Sequence, residues 1–232
     1  SKMPGRQLEK IEFENQEFDP IISIITPYYN SQKYIEQTAK CILNQTFPFW
    51  EWIIVNDGSS NEDAIQKLNE IEKLDSRIRV LHKENGGPAA ARDYGIERSN
   101  NKSKYLVFLD SDDLLDKTYF ECAYWTLETN PEASWTYTDV INFDNENFLW
   151  RKYFDPIWQQ KENLLVMASF ARKDKVKEIG GFKLREKKVY EDWYLWLRLL
   201  EKGNFPVRMS FLGTWYRAKK AEESELRQSH SE

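Results

Sequence analysis

Residues 106–109, Leu-Val-Phe-Leu, are apolar at every position and stop abruptly at Asp110, Ser111, Asp112 and Asp113. A strand apolar on both faces belongs in the interior of a sheet with parallel neighbours, so this run constrains the fold more than any other. Side chains alternate along a strand, which predicts that Asp110 and Asp112 point one way and Ser111 the other. Two carboxylates converging at the end of a buried strand repel each other unless a cation lies between them. Mg²⁺ and Mn²⁺ are hard cations that take oxygen ligands and often share them with substrate phosphates. The alternative is an Asp-rich turn that caps the next helix, since Asp also favours turns and N-caps.

The residues before this run fall into strand–helix units. Strands are expected at 21–26, 50–56, 78–82 and 105–109. A helix is expected at 32–44, entered through Asn30 and Ser31. A second begins near Asn61, with Ser59 and Glu62 spaced as a capping box and Ile65, Leu68, Ile71 and Leu74 on one face. Pro88 stands where a third helix would start, after Gly86 and Gly87. Alternation at this spacing implies a parallel, doubly wound α/β sheet that binds ligands at the carboxyl ends of its strands. The polar clusters fall at those ends: 28–30, 56–60, 84–87 and 110–113.

The second half is less regular. Helices are expected at 118–129, 172–179 and 190–202, with strands at 134–138, 164–171 and 207–216. A hairpin or extended loop is expected at 142–154. No internal repeat and no Pro-, Gly- or Ser-rich linker divides the chain, and residues 1–20 and 218–232 read as polar, frayed extensions.

Composition excludes several classes. The 232 residues carry a formal charge of −5, which argues against general nucleic-acid binding. No apolar run approaches the roughly 20 residues needed to cross a membrane, and no signal peptide is evident. Cys41 and Cys122 fall on expected helices and read as core thiols suited to a reducing compartment, while His82 and His230 are too few for a zinc site. Aromatic residues make up 15% of the chain, including nine Trp, which favours a carbohydrate ligand because flat sugar faces stack on aromatic rings.

Six stretches carry a resemblance: SIITPYYN (23–30), IIVNDGSS (53–60), ENGGPAAARDYGI (84–96), LVFLDSDD (106–113), EIGGF (178–182) and YEDWYLWLRLLEKG (190–203). In this order the chain resembles a family 2 glycosyltransferase of the GT-A fold. The resemblance covers roughly residues 20–217. It implies a Rossmann-like mixed, mainly parallel sheet flanked by helices, with a nucleotide-sugar-binding half at 21–113 and an acceptor-binding half at 114–217.

The resemblance also implies roles. Pro27 and Tyr29 would line the nucleotide site, Tyr29 against the base. Asp57 would accept from the N3–H of a pyrimidine, a match of carboxylate to donor. Arg92 would face the base or the pyrophosphate, with Ser111 nearby. Asp110 and Asp112 form an Asp-x-Asp that would hold Mg²⁺ or Mn²⁺ on the donor diphosphate, and Asp192 matches a catalytic base. Glu191, Trp193 and Lys219 are candidates for acceptor or diphosphate contacts. Bland alternatives stand beside these. Tyr29 can pack in the core, Asp57 can serve a turn before Gly58, Arg92 can pair on a surface helix, and Glu191 and Asp192 can stabilise a helix N-terminus by about 0.3–1 kcal/mol. Trp193, Trp196, Leu197 and Leu200 have core spacing on that helix.

One base opposite one leaving group implies single displacement and inversion at the anomeric carbon. A helix N-terminus lowers a carboxylate's pKa, so Asp192 is expected to be ionised at neutral pH and a weak base. One departure stands out. Many relatives carry a metal-ligating His in a Tyr-Arg-x-His pattern, whereas this chain reads Tyr216, Arg217, Ala218, Lys219. Lys219 either contacts the diphosphate or belongs, with Lys220, to an exposed loop.

The favoured reading is thus an inverting transferase that moves a sugar from a UDP- or dTDP-sugar to a hydroxyl of a glycan, lipid-linked or protein-linked acceptor. Its expected place is the cytoplasm, with peripheral attachment to the inner face of the membrane. A nucleotidylyltransferase would more naturally show a Gly-rich loop after the first strand, which PYYNSQKY lacks. A non-catalytic sugar-nucleotide-binding or partner-docking module of a larger glycosyltransferase is the remaining alternative.

Overall fold

The computed structural model describes residues 19–151, 153–183 and 190–219. Most of the expected 1–20 and 218–232 extensions lies outside the described residues. In chain order the elements are β1 (Ile22–Tyr28), α1 (Ile35–Leu43), β2 (Trp50–Asp57), α2 (Glu62–Glu72), β3 (Ile78–Lys83) and α3 (Pro88–Arg98). They continue with β4 (Tyr105–Phe108), β5 (Leu114–Leu115), α4 (Tyr119–Thr129), β6 (Ala133–Asp144), β7 (Phe148–Trp150) and a 3₁₀ turn at Trp158–Gln160. The last are β8 (Ser169–Arg172), α5 (Lys173–Glu178), α6 (Glu191–Glu201) and β9 (Phe205–Ala218).

These strands form one mixed sheet in the order β3-β2-β1-β4-β8-β6-β9-β5, with β7 on β6. β3, β2, β1 and β4 run parallel, as the strand–helix alternation requires. β8 then pairs antiparallel with both β4 and β6, and β9 returns parallel to β6. Every residue of β2 is buried, as is every residue of β4. Their alternate side chains enter two separate cores. Trp50, Trp52, Ile54, Tyr105 and Val107 join α1, α2 and α4 on one face. Ile53, Val55, Leu106 and Phe108 join α3, α5 and α6 on the other. The period-2 pattern of doubly apolar strands therefore yields an α/β/α sandwich.

Close packing on the second face depends on Gly95 of α3. A Cβ there would lie 2.6 Å from Ile25 Cγ2. On the same face Trp135 of β6 stacks on Trp196 of α6, with centroids 5.3 Å apart. Such a pair contributes about 0.5–1.5 kcal/mol beyond its buried area.

Several local expectations are corrected. The Ser59–Glu62 capping box does not form: Asn61 is the N-cap of α2 and accepts from Asp63 N and Ala64 N, while Ser59 Oγ accepts from Asn30 N at 3.0 Å. Leu74 lies past the end of α2 and is exposed, and the buried stripe is Ala64, Leu68 and Ile71. On α6 the buried residues are Leu195, Trp196 and Leu199, with Trp193, Leu197 and Leu200 only partly covered. The expected strand at 164–171 shortens to β8, because Leu164, Leu165 and Met167 fill the second core from irregular backbone. β6 and β9 run longer than expected and pair along almost their whole length, through register shifts at Thr138–Val140.

Candidate active site

The carboxyl ends of β1, β2 and β4 meet the ends of β6 and β9, and the polar clusters gather there. Asn30 binds the first two loops together: its Oδ1 accepts from Ser60 N at 3.2 Å and Asn61 N at 3.1 Å. Tyr28 is buried and donates to Ala64 O at 3.0 Å, whereas Tyr29 is 39% exposed and open to a ligand. Pro27 is partly buried in β1.

Asp57 closes β2 and is 3% exposed. Its carboxylate accepts from Lys83 Nζ at 2.5 Å, from Gly86 N at 3.0 and 3.1 Å, and from Gly87 N at 2.7 Å. Gly87 holds a φ of 87°, in the left-handed region where a side chain costs free energy. Asp57 thus shapes the Gly86–Gly87 entry to α3, and a pyrimidine N3–H would have to share oxygens already in use.

Arg92 pairs with carboxylates of the chain itself. It is 2% exposed and bridges two acids, with Nη1 donating to Glu191 Oε1 at 2.7 Å and Nη2 to Asp110 Oδ1 at 2.5 Å. Burial opposes the Arg92 charge, and the two carboxylates more than offset it. The next residue, Asp93, accepts from Phe182 N at 2.7 Å and Lys183 N at 3.0 Å, which fixes the Gly180–Gly181 turn to α3. Helix α3 therefore holds the Asp110 turn, the Gly180–Gly181 turn and the start of α6 together.

β4 ends at Phe108, so Asp110–Asp113 form a turn and strand alternation does not govern their directions. The two halves of the Asp-x-Asp instead have different cations. Asp110 takes Arg92, and Asp112 Oδ2 lies 2.6 Å from Lys219 Nζ. Ser111 is buried, with its carbonyl accepting from Thr38 Oγ1 at 3.1 Å. Asp113 is 3% exposed and accepts from Arg217 N at 2.9 Å. Burial, then repulsion from Asp112 and Asp110, pushes the Asp113 carboxyl well up. Asp112 is also pushed up, by burial first, with Lys219 opposing the shift.

Across from this turn, Asp192 stands in the first turn of α6. Asn163 Nδ2 donates to its Oδ2 at 2.9 Å and Trp193 N to its Oδ1 at 2.7 Å. Its carboxyl is pushed up to about 6, by burial first and by the neighbouring Glu191 second. This corrects the expected lowering at a helix N-terminus: desolvation and a like charge outweigh the dipole. Glu191 spends Oε1 on Arg92, and Trp193 Nε1 donates to Gln159 O at 2.6 Å, tying the 3₁₀ turn to α6.

Two residues without an assigned role stand out. Tyr216 of β9 is within electrostatic reach of Asp110, Asp112, Asp113 and Asp192 at once, and burial followed by those carboxylates keeps its phenol protonated. Arg217 stacks between Tyr34 and Phe143, with its Cζ 4.1 and 4.4 Å from the ring centroids, and donates from Nε to Asp112 O at 2.9 Å. The Tyr-Arg pair was visible in the sequence, but only the fold brings it to both acidic groups. Asn163 gave no sequence signal.

Among the described residues, no group of three or more His, Cys, Asp and Glu is gathered as a metal-binding set. Asp110 and Asp112 nevertheless fit a hard divalent cation by donor chemistry, since Mg²⁺ often uses one or two carboxylates plus substrate phosphates. No helix among the described residues is long and apolar enough to cross a membrane.

Residues 23–194 match the family described as Glycosyl transferase family 2. The chain is 32% identical over 189 residues to the putative teichuronic acid biosynthesis glycosyltransferase TuaG of Bacillus subtilis (strain 168), covering 79% of this chain and 73% of that protein. Seven further curated glycosyltransferases that it matches are spanned over less than half their length. Among solved structures, S. aureus TarS 1–349 in complex with UDP-GlcNAc has a TM-score of 0.71 at 19% identity, over 90% of this chain and 60% of that one. The mannosyltransferase PcManGT from Pyrobaculum calidifontis, in complex with GDP-Man and Mn²⁺, has a TM-score of 0.68 at 15% identity, over 88% and 59%. At these identities the likeness shows the fold.

Proposed function

The chain belongs to glycosyl transferase family 2 and has the GT-A fold, and from that premise we propose that it is an inverting glycosyltransferase using a UDP- or dTDP-sugar. The observation that carries this reading is the placement of Asp192, whose carboxyl is pushed up to about 6, opposite the Asp110–Asp113 turn with the Tyr216 phenol in reach of both. An inverting displacement needs a base on one side of the anomeric carbon and a charge-stabilising group on the other. TarS, a UDP-GlcNAc complex, and PcManGT, a GDP-Man and Mn²⁺ complex, share the fold and support a nucleotide-sugar donor.

In this mechanism the acceptor hydroxyl lies against Asp192. Asp192 takes the hydroxyl proton as the acceptor oxygen bonds to the anomeric carbon, and the bond to the diphosphate breaks with its electron pair leaving on the phosphate oxygen. A base with a pKa near 6 is ionised at neutral pH yet more basic than an ordinary carboxylate, which suits it to this transfer. Asn163 and Trp193 N orient the carboxylate. A divalent ion would be held by Asp110 and Asp112 and would supply counter-charge to the diphosphate. Arg92 fixes Asp110 and Glu191 in one geometry, so positioning contributes to the rate. Tyr29 offers an exposed ring to the nucleotide base, beside the loop shaped by Asp57.

The acceptor is a glycan, lipid-linked or protein-linked hydroxyl. The teichuronic acid named for TuaG supports a cell-surface glycan. The test compares wild type with Asp192→Asn. Wild type should release nucleoside diphosphate from a UDP- or dTDP-sugar, with water or an added glycan as acceptor. The variant should bind UDP as tightly but release none. If wild type binds nucleotide and releases none from any sugar nucleotide, the chain is a binding module instead.

A further inference from the structure

The C-terminal end of β9 delivers an ammonium group to the donor side of the site. Lys219 Nζ lies 2.6 Å from Asp112 Oδ2, with Lys219 25% exposed and Asp112 12% exposed at their side chains. The approach of Lys219 is fixed by its neighbour. Arg217 donates from its backbone N to Asp113 Oδ1 at 2.9 Å and from Nε to Asp112 O at 2.9 Å, and its side chain reaches Asp144 Oδ2 at 3.0 Å and Gln37 Oε1 at 2.7 Å. The strand end is therefore anchored to the same turn that Lys219 caps.

Each carboxylate of the Asp-x-Asp thus carries a cation supplied by the chain itself. The two cations differ in freedom. Arg92 is buried and doubly engaged, so it cannot leave Asp110 without stranding two acids. Among the described residues Lys219 has one carboxylate ion-pair partner, and its flexible stem is only partly covered. A lysine ammonium is a compact point charge that binds phosphate oxygens well. It can hold Asp112 and a phosphate oxygen together, because it has three donors.

We infer that Lys219 is a built-in counter-charge for the diphosphate of the donor, so that nucleoside diphosphate binds without a divalent ion and any such ion competes with Lys219 for Asp112. This rests on the donor site proposed above, and the test separates the two. UDP and dTDP binding to the full chain is measured by calorimetry in EDTA and in Mn²⁺, and Mn²⁺ binding alone is followed by its electron paramagnetic resonance signal. Wild type should bind one of the nucleotides in EDTA. Lys219→Ala and Lys219→Met should weaken that binding by roughly 10- to 100-fold, the loss of one charged hydrogen bond. Mn²⁺ should restore it, and both variants should bind Mn²⁺ more tightly than wild type. Lys219→Arg should keep binding in EDTA. Wild-type binding that requires Mn²⁺ and is unchanged in Lys219→Ala would overturn the inference while leaving the donor site intact. Absence of nucleotide binding under both conditions would overturn the donor site, and the inference with it.

Discussion

Arg92 Nη1 donates to Glu191 Oε1 at 2.7 Å, joining helix α3 to the residue beside Asp192. The other arm of the guanidinium holds Asp110. One buried side chain therefore ties the Asp110–Asp113 turn to the first turn of α6. Arg92→Ala should destabilise the fold by roughly 3 kcal/mol, because it leaves Asp110 and Glu191 without their cation. Arg92→Lys should fold better but bridge only one acid. Its kcat should fall more than its KM rises, as checked by urea unfolding and steady-state nucleotide release.

The acid–base behaviour of Asp192 is a second consequence. Burial pushes its folded carboxyl up to about 6, so kcat/KM should climb about tenfold per pH unit below 6 and level off above it. A profile whose acid limb falls at pH 4 would place the base elsewhere.

Asp192→Asn should separate function from stability. A raised folded pKa means that the native state holds the proton more tightly than the unfolded chain, where the carboxyl titrates near 3.9. Stability is therefore lost as pH rises from about 4 to about 6, and the cost is complete above 6. The Asn variant avoids that cost and should be more stable than wild type by roughly 1–3 kcal/mol at pH 7.5, with the gain vanishing near pH 4. Thermal unfolding at both pH values checks the sign.

Tyr216→Phe removes a phenol within electrostatic reach of four carboxylates. Stability should change little, within about 0.5 kcal/mol. Nucleotide release should fall by roughly 10- to 100-fold if the hydroxyl donates to the transferring group, the weight of one charged hydrogen bond. An unchanged rate would return Tyr216 to a packing role.

Gly95→Ala tests the close approach of α3 to the sheet. Alanine gains about 1 kcal/mol in helix propensity, but its Cβ would sit 2.6 Å from Ile25 Cγ2. Overpacking costs about 1–3 kcal/mol, so the variant should be less stable, with a lower urea midpoint.

The parallel half of the sheet was legible because its central strands β1, β2 and β4 are buried on both faces. Runs such as 53–55 and 106–109 have no polar residue to mislead the pattern. The second half was harder for identifiable reasons. β6 and β9 mix buried and partly exposed residues across register shifts, so Asp139 and Arg217 do not read as strand residues. Residues 164–167 are apolar like a strand, yet they enter the core from irregular backbone. Within the site, the acidic positions were visible and their partners were not. Arg92 finds Asp110 across 18 residues and Glu191 across 99, and only the fold determines that it pairs with both. The pKa of Asp192 was misjudged for a similar reason. Local sequence shows the helix dipole, whereas the burial that outweighs it is tertiary.

The central claim is inverting transfer from a nucleotide sugar. The most direct measurement is proton NMR of the sugar first released from an α-linked UDP- or dTDP-sugar, recorded before mutarotation. The account predicts the β-anomer, formed by wild type and absent with Asp192→Asn. Release of the α-anomer by wild type would contradict it.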